Sequence, residues 1–319
     1  MSWSNIVLPL AGNLLILYLG ISLGLLFKKS RIYNQTVEER VVQFVIFIAF
    51  PLLILRAMLS IPEGEDLLLL SIILLALIVV GLNWFIQSRY HSINKNVLSS
   101  QSEGAEIACS AFPNSLNLPF PIIIALIGDD GLIAASIFVV SIMILQNTLG
   151  VYIGIKYGSK ENPSKIEIIA STFKLPLTWA IVAGVFLRIF IGHHTFEAAS
   201  VDYIQSFLIF VTLLVVGFNL ELISPKKLFS SVSIRRVSVL RFLIAPLVAL
   251  IYFWILRYSS NVMVPLFIQV MAPPAINNAI YAKHFGYDVK LTSQFIAVLT
   301  FIYLLFLPIQ LVLIYLAWL

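Results

Sequence analysis

Apolar runs of about twenty residues recur along this whole chain, and a helix of that length crosses the hydrocarbon core of a bilayer. The windows fall at 6–27, 41–60, 67–87, 105–127, 131–155, 172–192, 203–223, 237–257, 262–284 and 291–318. Ten such spans in 319 residues leave short connections and no room for a sizeable water-soluble domain. Charged residues make up 11% of the chain, against about 25% in soluble proteins, which is too few to clothe a surface facing water all round. A spanning β-barrel would instead show segments of about ten residues alternating in polarity. The expected fold is all-α and polytopic. The single cysteine, Cys109, excludes an intramolecular disulfide.

Basic residues set the orientation. No basic residue precedes the first window, and Lys28, Lys29 and Arg31 follow it, so that window is expected to be an anchored span rather than a cleaved signal, with the N-terminus outside. Ten spans then put the C-terminus outside too, and connections 1–2, 3–4, 5–6, 7–8 and 9–10 in the cytoplasm. Those connections and their flanks carry seventeen basic residues, Arg241 counted among them, against three (Arg56, Arg188, Arg257) towards the other side. The net charge of +5 is thus an orientation signal, and no nucleic-acid partner is expected.

Ten spans divide into five and five, residues 1–155 and 172–319, with 156–171 as a cytoplasmic linker. An odd number per half places the halves in opposite orientations, which is an inverted repeat. Spans 4 and 9 are then partners, and both are interrupted. Span 4 holds Pro113, Pro119 and Pro121 with Asn114 and Asn117; span 9 holds Pro273 and Pro274 with Asn277 and Asn278. Each is followed by glycine and an acid, Gly128-Asp129-Asp130 and Gly286-Tyr287-Asp288.

Proline lacks an N–H and opposes the carbonyl four residues earlier. In continuous helices Pro119 and Pro121 would release the carbonyls of Ser115 and Asn117, and Pro273 and Pro274 those of Gln269 and Val270. A bare carbonyl in hydrocarbon costs several kcal/mol, so such breaks survive inside protein or beside a water-filled cavity. The four asparagines each offer a donor and an acceptor to the broken backbone or to a ligand. Half-helices beginning near Phe120 and Asn277 would present N-termini, whose partial positive charge favours an anion.

The run Pro113-Asn114-Ser115-Leu116-Asn117-Leu118-Pro119-Phe120-Pro121 with Gly128-Asp129 resembles the fourth-span motif of the auxin efflux carrier family, which includes the plant PIN carriers. Ala272-Pro273-Pro274-Ala275-Ile276-Asn277-Asn278 with Tyr281-Ala282-Lys283 resembles its ninth span. Phe27-Lys28-Lys29, Phe50-Pro51, Leu175-Pro176-Leu177, Arg241 with Pro246, and Leu307-Pro308 add matches along the chain. The resemblance implies a ten-helix inverted repeat with crossing helices 4 and 9, and an elevator-like division into scaffold and mobile bundle. It also implies a small organic anion as substrate, such as indole acetate or a malate-type carboxylate. Substrate binding would fall to Asn114, Asn117, Pro121, Gln146, Pro273, Pro274, Asn277 and Asn278. Gln146, and by the same resemblance Asp66, would belong to a nearby support site. Pro119 stands where the family usually has a small residue, and the long cytoplasmic loop of plant members is absent. A plasma-membrane location and a homodimer are also implied.

Other polar groups have plainer accounts. Gln146 and Asn147 sit mid-span, where helix-to-helix hydrogen bonding suffices. Asn83, Asn219 and Glu221 lie nearer span ends, where solvation suffices. The histidines His91, His193, His194 and His284 are scattered without metal-ligand spacing, and no nucleotide or dinucleotide fingerprint is present, so neither metal nor cofactor is expected. Neither the aspartates nor the histidines suit an intramembrane protease, and an enzyme is not expected. The alternatives are a sodium-coupled organic-anion symporter of the bile-acid type, which would want carboxylates at the breaks, and a ligand-sensing membrane protein that does not transport.

Overall fold

A computed structural model describes residues 4–30, 34–44, 47–48, 50–59, 66–94, 98–116, 118–127, 129–158, 176–191, 207, 210–211, 213–214, 217 and 231–318. The described residues are overwhelmingly helical and form no strand beyond one isolated bridge. The helices are α1 (Ser4–Lys29), α2 (Gln35–Phe44), α3 (Phe50–Leu59), α4 (Asp66–Ile93), α5 (Ser100–Ala111), α6 (Pro119–Ile127) and α7 (Asp129–Leu145). They continue as α8 (Val151–Tyr157), α9 (Pro176–Ile191), α10 (Val232–Val239), α11 (Ala245–Leu256), α12 (Ser260–Val270), α13 (Asn277–Phe285) and α14 (Val289–Trp318). Two π-helical turns, Gln146–Gly150 and Leu240–Ile244, join α7 to α8 and α10 to α11. Most of the seventh window, nearly all of the 156–171 linker, Asn117, Gly128, His193, His194, Asn219 and Glu221 lie outside the described residues.

Four of the described helical stretches are long and apolar enough to cross a membrane: Leu67–Ile93, Gly131–Tyr157, Val232–Leu256 and Val289–Val312. Facing, not length alone, identifies their solvent. On α4, Ile72, Leu75, Ala76, Val79, Val80 and Asn83 are buried at helical spacing, while Leu67, Leu70, Leu74 and Leu77 on the opposite stripe are exposed. A helix in water would carry polar residues on that outer stripe. Here the outer stripe is as apolar as the inner one, as hydrocarbon requires.

The chain forms two compact units, and each draws on both halves of the sequence. Residues 1–67, 116–136 and 171–220 form one; residues 68–115, 137–170 and 221–319 form the other. In the first, α9 packs on α3 and α1 on α6. Gly20 and Gly24, four residues apart on α1, let its backbone approach Leu213, Leu214 and Gly217. A Cβ at Gly217 would collide with the Ile21 carbonyl oxygen, and one at Gly24 with that of Leu214. Gly217→Ala should therefore force these backbones apart and cost about 1–3 kcal/mol. Thermal unfolding in detergent checks this against Gly81→Ala, whose new methyl meets nothing within 4 Å.

In the second unit α5 is the hub, packed by α8, α10, α13, α14 and the Leu240–Ile244 turn. Its composition explains this. Gly104, Ala105, Ala108, Cys109, Ser110 and Ala111 are small and all buried, so neighbouring backbones come close. Ser99 caps its start by accepting from the Ser102 amide. Gly286 ends α13 in the left-handed region at φ 79°, which glycine adopts without strain. Asp288, two residues on, is a structural acid: its carboxylate accepts from the Leu291 amide at the start of α14 and from the Ser102 hydroxyl on α5.

Candidate functional site

The two proline-rich stretches meet within the second unit. α5 stops at Ala111 and α12 at Val270, and non-helical backbone follows each, at 112–114 and 272–275. Pro113 and Pro274 form an antiparallel bridge. Neither has an N–H to give, so the bonds come from their neighbours: Asn114 N donates to Pro273 O at 2.7 Å, and Ala275 N to Phe112 O at 3.0 Å. Pro113, Asn114, Pro273 and Pro274 are all buried there.

The released carbonyls find partners. Gln269 O accepts from the Ala272 and Met271 amides in a tightened last turn. Ser115 O accepts from the Gln269 side chain at 3.1 Å. Val270 O and Ala272 O both accept from Arg241 Nη2 at 2.8 Å, and Ala272 O also from Arg241 Nε at 3.2 Å. Ser110 O, left without its helical partner, takes Asn83 Nδ2 at 3.1 Å and Arg241 Nη1 at 3.5 Å. Charge-assisted bonds of this kind contribute about 1.5–3 kcal/mol each. A cation beside a helix C-terminus adds up to about 2 kcal/mol where partly buried.

Arg241 corrects one sequence expectation. Counting along the chain makes it a cytoplasmic anchor, but it is fully buried within the helical stretch Val232–Leu256. Pro246 explains how it reaches the break. Lacking an N–H, Pro246 cannot bond Phe242 O, and the helix widens just before it, the Ala245 amide bonding Leu240 O five residues back. Asn83 is corrected likewise: it is 1% exposed and caps a broken helix rather than meeting solvent.

The π-turn Gln146–Gly150 presents the polar pair of the fifth window. Thr148 Oγ1 bonds back to Ile144 O at 2.8 Å, a contact that competes with regular α-helical bonding. Gln146 Nε2 donates to Asn278 Oδ1 at 3.0 Å, while Asn278 Nδ2 donates to Ala108 O at 3.2 Å. Tyr281 donates its hydroxyl to Asn147 Oδ1. Thus Asn278 is a buried clamp joining α5, the 146–150 turn and α13. Asn277 is the exposed one, at the first position of α13.

The sequence-predicted residues therefore separate. Pro113, Asn114, Gln146, Pro273, Pro274 and Asn278 come together in the second unit. Asn277 borders them on α13. Pro119 and Pro121 lie in the first turn of α6, where a missing N–H costs nothing, and α6 groups with the first unit. Asp66 is the first residue of α4.

A second polar cluster escapes sequence reading. Glu106 is fully buried on α5 and accepts from Arg236 Nη2 of α10 at 2.7 and 2.9 Å, with Gln87 Nε2 of α4 also donating to it. His91 Nε2 lies 3.2 Å from the same carboxylate. Arg236 also donates to Tyr90 Oη at 3.0 Å and lies over that ring. The cluster joins α4 and α5 to Arg236 of α10, 130 residues from Glu106, so no local motif announces it.

Comparisons with known proteins agree with this architecture. Curated proteins give no match. Residues 9–314 match the profile of a family described as membrane transport protein, which is nearly the whole chain. With outward-facing apolar helices and two proline breaks paired by a backbone bridge, this integral membrane protein belongs to the auxin efflux carrier, or PIN-like, family of membrane transporters.

Proposed function

We propose that this transporter carries small organic anions of the carboxylate class, such as indole acetate or malate, by alternating access of an elevator type. The observation that carries the reading is the backbone pairing of the two breaks, Asn114 N to Pro273 O and Ala275 N to Phe112 O. Irregular backbone at membrane depth is tolerated where it lines a site, and paired broken helices are how inverted-repeat carriers build one. The grouping of the chain supports the division of labour. Windows 1, 2, 6 and 7 fall mainly in one unit and windows 3, 5, 8, 9 and 10 mainly in the other, so the boundary recurs at matching places in the two halves. That recurrence is what ten helices in two inverted five-helix repeats would give. Window 4 departs from it, its second half grouping with the first unit.

Asn114 and Asn277 orient the anion in this reading, Gln146 and Asn278 hold the frame, and the N-terminus of α13 favours negative charge. The protein sits in the plasma membrane as a homodimer with both termini outside. A sodium-coupled symporter is disfavoured by Arg241, which already occupies the carbonyls such an ion would use.

The test is a current measurement on purified protein in liposomes adsorbed to a solid support, challenged with malate, indole acetate and other carboxylates. A saturable current is expected, and Asn114→Ala should abolish it while protein remains in the membrane. An unchanged current in that variant removes Asn114 from the site. Silence of folded, inserted wild-type protein across the panel overturns the carboxylate assignment.

A further inference from the structure

The guanidinium of Arg241 sits where two broken helices end. The ion pairs among the described residues, His91 with Glu103 and Glu106 and Arg236 with Glu106, do not include it. Its hydrogen-bond partners are backbone carbonyl oxygens: Val270 and Ala272 at the end of α12, and Ser110 at the end of α5. A fully buried charge needs compensation, and here it comes from the negative ends of two helices.

Neutral oxygen donors freed from helical bonding, converging from two C-termini, form the donor set that takes a hard monovalent cation in membrane carriers with broken helices. Here the chain's own side chain lies in that donor set. We propose that Arg241 is a tethered cation filling a monovalent-cation site at the junction of the two breaks, so that the junction keeps its shape and its positive charge without an inorganic ion.

The local build fits this role. The widened turn at Leu240–Ile244, imposed by Pro246, lies against α5 and carries the side chain inward. In continuous helices the Ser110 and Ala272 carbonyls would bond the Asn114 and Ile276 amides, whereas Val270 O faces Pro274, which has no N–H to give. A neutral side chain of similar size would supply some hydrogen bonds but not the charge that two helix ends call for.

The test reads stability rather than transport, so its outcome is independent of which substrate is carried. Wild type, Arg241→Ala, Arg241→Lys and Arg241→Gln are purified in one detergent. Their unfolding temperatures are measured in choline chloride and on titration with sodium or guanidinium chloride at constant ionic strength. Wild type should show no saturable rise with either ion, only the general lowering that guanidinium imposes as a denaturant. Arg241→Ala should unfold at lower temperature in choline and recover saturably with guanidinium or sodium, by on the order of 5 °C. Arg241→Lys should exceed Arg241→Gln in stability, because charge rather than donor count is what the site takes. Equal stability of those two variants overturns the proposal, as does a folded Arg241→Ala indifferent to both ions. If Arg241→Ala yields no folded protein, the lysine and glutamine pair decides.

Discussion

Arg236→Met should destabilise the purified protein by about 3–5 kcal/mol, the usual cost of removing one partner from a buried ion pair. The reason lies in what remains. Glu106 is 0% exposed, and without Arg236 it keeps Gln87 and His91 but loses the only permanent cation paired with it among the described residues. Glu106→Met should cost less, because Arg236 is 18% exposed and its stem can carry the charge towards water. The double variant, Arg236→Met with Glu106→Met, should recover most of the loss, since a buried pair replaced by apolar groups of similar volume is often neutral. Unfolding midpoints for the four proteins form a double-mutant cycle. A coupling energy near zero would show that the pair contributes nothing to holding α5 against α4 and α10.

Asn278→Ala and Asn277→Ala should part company, although the two side chains are adjacent and look alike in sequence. Loss of Asn278 strips the bond to Gln146 and the bond to Ala108 O, both buried, and leaves the Gln146 amide short of a partner. We expect about 2–4 kcal/mol of lost stability from that unpaired group and the small cavity beside it. Asn277 is exposed at the start of α13, so its removal should leave the midpoint within about 0.5 kcal/mol, as for ordinary surface changes. Its effect should fall on the concentration of anion that half-saturates the current. Equal destabilisation by both variants would sink this separation of clamp from contact.

The sequence discloses whatever depends on composition and periodicity. Apolar length marks α4, the 131–157 stretch, the 232–256 stretch and α14, because bilayer thickness constrains each of them locally. Proline marks the two places where helical bonding must fail, because its missing N–H is a local property. What a break does with its released carbonyls is not local. Arg241 lies 29 and 31 residues from the carbonyls it binds on one side and 131 from the one on the other. Counting charges along the chain places it with the loop lysines, since the count carries no information on facing or depth. Glu106 is hidden for a similar reason: its partner Arg236 is 130 residues away, and one acid among alanines signals neither burial nor pairing. Asn278 shows the opposite limit. Its residue type suits a ligand and a structural clamp equally well, and only the geometry around it separates the two.

The paired breaks also bear on how much order a ligand would have to create. Proline fixes φ in the unfolded chain as firmly as in the folded one, so Pro113, Pro273 and Pro274 surrender little conformational entropy when the bridge forms. They bring no amide hydrogens that would need desolvating beside it either. A glycine-rich break of the same length would be cheaper to build sterically, but it would be ordered only at the ligand's expense. Here the paired break is preorganised by its own covalent chemistry, so its backbone is set in place before any ligand arrives.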